Sequence, residues 1–445
     1  MSTTSSPVEN GHSSQFNSSR LFFGSCIALI VTAMSFAIRG DIMGPLGTQF
    51  ELNNEQLGYI AGTAFWGFTL AMIFGGPLCD VIGIGRLLGL AFLGHLVGII
   101  MTIFAKDYTF LFMGTLAIGL GNGFVEAACN PLVASVYPTE KTKKLNQFHV
   151  WFPGGIVIGG LLCYALSKSE VSWQIKMATM FIPLAIYGAL FVGQKFPKTE
   201  RVTSGVSTGS MFKHCLRPLF LVMVACMFLT GSTELGPGQW IPNILTFSAG
   251  VSGILVLVWI NGIMAVGRQF AGPVVHALSP TRMLLFSSVL AAIGLFWLGY
   301  AKGSVMTFAA ATVFALGVCY FWPTMLGFVA ERLPQTGALG LAIMGGAGML
   351  SVAFILPVMG KIYDKKLATA IPSGYSAEQL KGAVAGTTEA GVWAQVQAMG
   401  GAMTLKYVAL LPVLLIAAFL GLAIYDKLKG GYNAIALSEK KRDDF

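Results

Sequence analysis

Charge is scarce in this chain: Asp, Glu, Lys and Arg together make up 11% of its 445 residues, against about a quarter in an ordinary globular protein. That excludes a water-soluble domain with a normal polar surface. Cysteine is equally unhelpful as a scaffold. The seven residues, at 26, 79, 129, 163, 215, 226 and 319, are scattered, odd in number and free of any CxxC pair, so neither a disulfide framework nor a thiolate metal site is expected. No His/Glu/Asp cluster has metal-ligand spacing and no phosphate-binding Gly loop is present, so the expectation is a protein that is not an enzyme and holds no metal or cofactor. Acidic residues fall short of basic ones, 19 against 28, for a net charge of +9. Yet no basic stripe with interleaved aromatics occurs in a polar segment, and nucleic acid is not an expected partner.

What the chain has in abundance is apolar length. Hydrophobic residues account for 55% of it and the mean hydropathy is +0.72. Twelve stretches, at 21–48, 57–78, 86–105, 109–136, 147–167, 174–195, 218–243, 250–275, 282–301, 304–329, 337–362 and 403–425, each approach the roughly 20 residues a helix needs to cross about 30 Å of hydrocarbon. The first is too long for a signal-peptide core and reads as an uncleaved helix. Asn17-Ser18-Ser19 matches a glycosylation sequon but precedes that helix, in a Ser- and Asn-rich tail. With twelve crossings both termini lie on one side. That side receives 17 of the 28 basic residues, among them Lys141, Lys143, Lys144, Arg217, Arg332 and the tail cluster Lys440, Lys441, Arg442, against 9 on the other. The positive-inside rule then predicts cytoplasmic termini for a multi-pass protein of the inner or plasma membrane.

The chain divides near its middle. A charged, Ser/Thr-rich break separates two sets of six stretches, giving a tail at 1–20 without regular structure, a first half at 21–195, a cytoplasmic linker at 196–217, a second half at 218–425 and a C-terminal tail at 426–445. The halves echo each other. Gly76-Pro77-Leu78-Cys79-Asp80 with Arg86 matches Gly272-Pro273-Val274-Val275-His276 with Arg282 at an offset of 196 residues, and Asn130-Pro131 matches Trp322-Pro323 at 192. Internal repeats of this kind are typical of transporters, whose solute site lies at midplane between the repeats. The expected fold is all-α, twelve transmembrane helices in two pseudo-symmetric six-helix halves.

An ionisable side chain at membrane depth costs roughly 2.5 to 3.5 kcal/mol on insertion scales, so it is expected to face a cavity or a partner. Six qualify: Arg39, Asp41, Glu126, His149, Glu234 and Arg268. Because burial disfavours a charged carboxylate, Asp41 and Glu126 are candidate proton carriers. The alternatives are a permanent pair of Asp41 with a base such as Arg268, and a helix-packing hydrogen bond for Glu126. Glu126 and Asn130 are four apart and share a helix face, as do Gln147 and Trp151, with His149 pointing elsewhere. His149 reads as a proton relay or as a satisfied histidine near the cytoplasmic mouth. Trp240, Tyr320, Phe321 and Trp322 can stack on a sugar ring or simply pack. Trp240 stands beside Glu234, Gln239 and Asn243 after Gly236-Pro237-Gly238, which is expected to break its helix.

Gly76-x3-Asp80-x2-Gly83-x-Gly85-Arg86 resembles the loop motif of the major facilitator superfamily. Gly76, Asp80, Gly85 and Arg86 are accordingly candidate gating residues, the glycines for close helix approach and the two charges for contacts that break and reform. Within that superfamily the chain resembles the fucose/glucose/galactose:proton symporter (fucose permease) family. The likeness rests on Asp41-Ile42, on Glu126-Ala127-Ala128-Cys129-Asn130-Pro131, on Leu145-Asn146-Gln147-Phe148-His149 with Phe152, on Glu234 with Trp240, on Gly267-Arg268 and on Pro323-Thr324. Arg39, Pro153 and Gly236-Pro237-Gly238 depart from the family pattern. The resemblance implies a monomeric secondary transporter, a proton-coupled symporter of a monosaccharide working by alternating access. The candidate solute contacts are Arg39, Glu126, Asn130, Gln147, His149, Trp151, Glu234, Gln239, Trp240, Asn243, Arg268 and Trp322. The expected partners are a small polar solute, a proton or sodium ion, and the lipid bilayer. An exporter or a carrier of an anionic solute, suggested by Arg39 and Arg268, is the alternative, as is sodium-coupled sugar uptake. The segment from Asp364 to Gly401 reads as a long loop, with Ser376 and Gln379 fitting a capping box around a short helix.

Overall fold

The computed structural model describes residues 16–137, 141–198, 208–247, 250, 252–270 and 278–433. The second copy of the loop motif at 272–276, the basic cluster at 440–442, the centre of the linker and most of the N-terminal tail lie outside them. Among the described residues every regular element is a helix. In the first half these are α1 (Ser18–Gln49), α2 (Asn54–Ile82), α3 (Ile84–Ile103), α4 (Tyr108–Val136), α5 (Lys141–His149), α6 (Trp151–Lys168), α7 (Trp173–Ala178) and α8 (Phe181–Phe191). A short α9 (Thr208–Cys215) precedes the second half, α10 (Pro218–Thr246), α11 (Gly253–Gln269), α12 (Pro280–Leu298), α13 (Gly303–Val318), α14 (Phe321–Arg332), α15 (Gly337–Ala370), α16 (Ala377–Lys381), α17 (Thr388–Val408) and α18 (Leu410–Leu428). Counting α5–α6, α7–α8, α13–α14 and α17–α18 as one crossing each, eleven are long and apolar enough to span a bilayer, and α11 is a shorter apolar twelfth.

The four divided crossings share one cause. Their second segments open with Trp151-Phe152-Pro153, Phe181-Ile182-Pro183, Phe321-Trp322-Pro323 and Leu410-Leu411-Pro412. Each proline lacks an N–H, so the ladder of hydrogen bonds is interrupted just before it, while the backbone at Val150, Thr179, Met180, Cys319, Tyr320 and Ala409 stays right-handed helical. Pro237 and Pro242 sit inside α10 without ending it. The break expected at Gly236-Pro237-Gly238 is therefore absent, because neighbouring helices can satisfy a loosened backbone within a bundle.

The last crossing starts earlier than its hydropathy suggests. Thr387 caps α17, accepting from the Ala390 amide at 3.3 Å, and the polar first turns at Thr388 and Glu389 dilute the apolar signal although they are helical. With α15 running on to Ala370, the expected loop at 364–401 shrinks to residues 371–387. Its capping box is present: Gln379 N donates to Ser376 Oγ at 3.2 Å and Ser376 N to Gln379 Oε1 at 2.9 Å.

Glycines set the close packing, and they keep the repeat register. A Cβ at Gly98 of α3 would stand 2.6 Å from Ile118 N of α4, and one at Gly294 of α12 would stand 2.3 Å from Phe314 N of α13. Both members of the second pair lie 196 residues after the first. The same offset relates Gly121, which faces His95 N at 2.9 Å, to Gly317, which faces Ala291 N at 2.3 Å. The two halves meet mainly where α2 lies on α15, α6 on α11 and α1 on α10.

Candidate functional site

Between the halves lies a narrow cavity of about 40 Å³. That holds a few water molecules and is too tight for a pyranose, so cargo of that size requires the halves to move. Its walls are mostly apolar, with Phe36 of α1 and Phe152 of α6 on one side, and its polar groups, Glu234, Gln239, Asn261 and Arg268, all come from α10 and α11 of the second half.

Glu234 and Arg268 form a buried ion pair, Arg268 Nη2 to Glu234 Oε1 at 2.9 Å. The guanidinium also donates through Nε to Cys319 O at 2.9 Å. That carbonyl is the one Pro323 leaves without an i→i+4 partner, so Arg268 satisfies the break in the α13–α14 crossing. Two of its donors are thereby committed. The second carboxylate oxygen, Glu234 Oε2, is buried with no hydrogen-bond partner. Arg39 is buried at 3% exposure behind the cavity wall. Its guanidinium lies over Phe36 at 5.3 Å, and its Nη1 reaches Gln239 Oε1 only at 3.5 Å. Among the described residues no carboxylate is within ion-pair distance of it.

Asp41 does not meet Arg268. Its Oδ2 accepts from Lys176 Nζ of α7 at 2.7 Å, and the same ammonium donates to Ser167 Oγ at 2.7 Å. Two residues along a helix is a turn of about 200°, so while Arg39 faces the second half Asp41 faces α7. Lys176, at the start of the stretch 174–195, passes for a lysine at the membrane edge in the sequence.

Glu126 and Asn130 do share a face: Asn130 Nδ2 donates to Glu126 Oε2 at 2.7 Å. His149, which points away from Gln147 and Trp151, completes the chain, its Nε2 at 2.9 Å from Asn130 Oδ1. The amide oxygen can only accept, so that nitrogen carries the proton. Gln147 and Trp151 are exposed on the same crossing.

The aromatic candidates are packing residues. Trp240 is fully buried, its Nε1 donating to Leu356 O at 3.4 Å and its ring edge-on to Tyr363 at 5.9 Å. Being one residue past Gln239, it turns about 100° away from the cavity. Trp322 packs over the small residues of α15 at Gly348, Tyr320 donates to Gly267 O at 3.1 Å, and Asn243 lies against Gly44.

Within the loop motif that holds the gating candidates, Gly83 takes φ +87 and joins α2 to α3, a conformation that favours glycine. Gly85 packs under Phe196, whereas a Cβ at Gly76 would meet nothing within 4 Å, so close approach is not what that position provides here. Arg86 is exposed, and the Asp80 side chain lies outside the described residues. A buried set absent from the sequence reading joins four helices of the first half. His95 contacts Tyr187 Oη at 3.1 Å and Asn122 Oδ1 at 2.9 Å, and Asn122 donates to Ser35 Oγ at 3.0 Å. Both imidazole nitrogens are satisfied, which makes this core structure.

The family profile described as Major Facilitator Superfamily matches residues 21–357. Sodium-dependent glucose transporter 1 of Homo sapiens is 21% identical over 382 residues, covering 76% of this chain and 73% of that protein. The gentisate transporter of Corynebacterium glutamicum is 23% identical over 239 residues, 49% of this chain and about half, 52%, of that protein's length. In three dimensions, the inward-facing, unoccupied structure of a bacterial homolog to the human lysosomal transporter Spinster superposes with a TM-score of 0.76 at 15% identity, over 95% of this chain and 100% of that one. With eleven helices long and apolar enough to cross a bilayer and a shorter apolar twelfth among the described residues, a cavity between two halves and a profile match over most of its length, this chain belongs to the Major Facilitator Superfamily.

Proposed function

We propose that the chain is a proton-coupled symporter that takes up a small neutral polyhydroxylated solute, a monosaccharide or close relative, by alternating access between the halves at 21–195 and 218–425. The observation that carries the cargo class is Glu234 Oε2. It is a buried acceptor without a partner, on the wall of the central cavity, and leaving such an atom unsatisfied costs about 1 to 3 kcal/mol or more for a charged group. A sugar hydroxyl donates to it; a carboxylate would meet like charge. Gln239 and Asn261 supply further polar contacts, and the similarity to a glucose transporter supports the same reading. The proton is assigned to Glu126, reached from the exposed His149 through Asn130; Asp41 is tied to Lys176 and ranks second. The reading places the protein as a monomer in the inner or plasma membrane with both termini cytoplasmic.

One observation favours a second cargo. Arg39 is a buried cation whose only hydrogen bond among the described residues is the 3.5 Å contact to Gln239, and the gentisate transporter is among the relatives, so an anionic organic solute is the competing reading. Proteoliposomes given a panel of neutral sugars, sugar acids and aromatic acids, with imposed proton or sodium gradients, separate them. Solute-dependent proton uptake with a neutral sugar is the expected result. Accumulation only of acids, or only under a sodium gradient, overturns the cargo or the coupling respectively.

A further inference from the structure

On the face opposite the termini, the start of α2 is closed by a residue from the other half of the molecule. Asp364, near the end of α15, accepts three hydrogen bonds there. Its Oδ1 takes Asn54 N at 3.2 Å and Asn54 Nδ2 at 2.8 Å, and its Oδ2 takes Glu55 N at 2.9 Å. The first amides of a helix have no intrahelical acceptor, and a carboxylate at that end is also favoured by the helix dipole. Asp364 thus supplies from 310 residues away what a local cap supplies elsewhere. Asn53 forms the local capping box with Gln56, through Gln56 N to Asn53 Oδ1 at 2.8 Å and Asn53 N to Gln56 Oε1 at 3.0 Å. The two arrangements divide the free donors between them.

The helices behind this contact are shaped to meet. Gly58 and Gly62, four apart on one face of α2, press on the backbone of α15: a Cβ at Gly58 would lie 2.5 Å from Leu356 O, and one at Gly62 would lie 3.0 Å from Ala353 O. From the other side, a Cβ at Gly360 would lie 2.0 Å from Asn54 O. Small residues four apart are how membrane helices bring backbones together. Lys361 Nζ stands 4.0 Å from Glu55 Oε1 at the exposed rim.

We infer that Asp364 is a latch holding the two halves shut on the face opposite the termini, by capping α2 across the interface. Opening that face must separate Asp364 from Asn54 and Glu55 and expose three donors together with the glycine faces. The latch therefore biases the equilibrium between the two access states, whichever solute is carried and whichever ion is coupled.

Spin-label distance measurements on the full-length protein in detergent test this. One pair, Lys106→Cys with Lys302→Cys, reports on the latched face, and a second pair, Val81→Cys with Leu428→Cys, reports on the face of the termini; all four positions are exposed. The seven native cysteines are buried, which directs label to the introduced ones. Asp364→Asn, which keeps one acceptor and loses the charge, is expected to raise the long-distance population of the first pair at least fivefold and to shorten the second pair. Gly360→Ala, which wedges the same contact apart by another route, is expected to do likewise, and serves if the first variant folds poorly. Unchanged distributions in both variants overturn the latch. Broadening of both pairs without opposite shifts also overturns it, because that is what a merely structural residue produces.

Discussion

Arg39 and Asp41 stand two positions apart and lead separate lives, one at the seam between the halves and the other locked to Lys176 inside the first half. The Asp41–Lys176 pair is nearly dry, with side-chain exposures of 11% and 8%, and breaking such a pair by removing one partner costs about 3 to 5 kcal/mol because a charge is left buried. Asp41→Asn is therefore expected to lower the melting temperature markedly, and Asp41→Asn with Lys176→Met to recover most of the loss in a double-mutant cycle. Equal, additive destabilisation in the double variant would show the two side chains to be uncoupled. Glu126 is expected to behave differently. Glu126→Gln removes the carboxylate but keeps an acceptor for Asn130, so exchange of labelled solute should continue while uphill accumulation falls at least tenfold, since a gradient works only if proton and solute bias the same two-state element. Accumulation at the wild-type level would remove Glu126 from the coupling. The Glu126–Asn130 contact was legible in the sequence because i, i+4 spacing is a local rule. Lys176 and Asp364 were not, because their partners lie 135 and 310 residues away, Lys176 standing at the very start of the apolar stretch 174–195 and Asp364 just past the end of 337–362.

At the scale of the element, length and hydropathy were enough to find the eleven spanning helices and the shorter apolar twelfth among the described residues, and the ends that misled were polar turns that remain helical outside the apolar stretch. The proline breaks are legible in hindsight as aromatic or aliphatic pairs followed by Pro, but proline alone does not decide: Pro237 and Pro242 stay within α10. Glycine shows the same dependence on surroundings. At Gly119 a Cβ would stand 2.4 Å from Ala64 O and 2.5 Å from Ala64 Cα, whereas at Gly76 it would meet nothing. Overpacking of this kind costs typically 1 to 3 kcal/mol, and the helix-propensity gain of about 1 kcal/mol from Gly to Ala offsets it only in part. Gly119→Ala is thus expected to lower thermal stability by several degrees in detergent, and Gly76→Ala to leave it unchanged or slightly raised. If the two variants melt together, the α2–α4 contact is not limiting for stability.

For the whole molecule, two facts combine. The halves keep one register of 196 residues from the loop motif at Gly76 through the glycine contacts of their third and fourth crossings, and they touch chiefly through α2–α15, α6–α11 and α1–α10. The tightest backbone contacts of α2 with α15 gather on the face away from the termini. If that face is the outside, the molecule as described is closed to the exterior, and the His149–Asn130–Glu126 chain looks toward the cytoplasm. Orientation thus decides the direction from which the proposed proton path is reached, and it rests on 17 of 28 basic residues falling on the terminal side, an asymmetry read during insertion because Lys and Arg resist translocation. Cys215 in the linker is a poor reporter of it, being only 3% exposed. Exposed positions serve better: Lys213→Cys in the same linker and Val384→Cys, 72% exposed, between α16 and α17. An impermeant thiol reagent applied to intact cells is expected to label Val384→Cys and to spare Lys213→Cys until the membrane is permeabilised. The reverse pattern would place the termini outside, turn the latched face toward the cytoplasm, and make the same geometry that of a carrier open to the exterior.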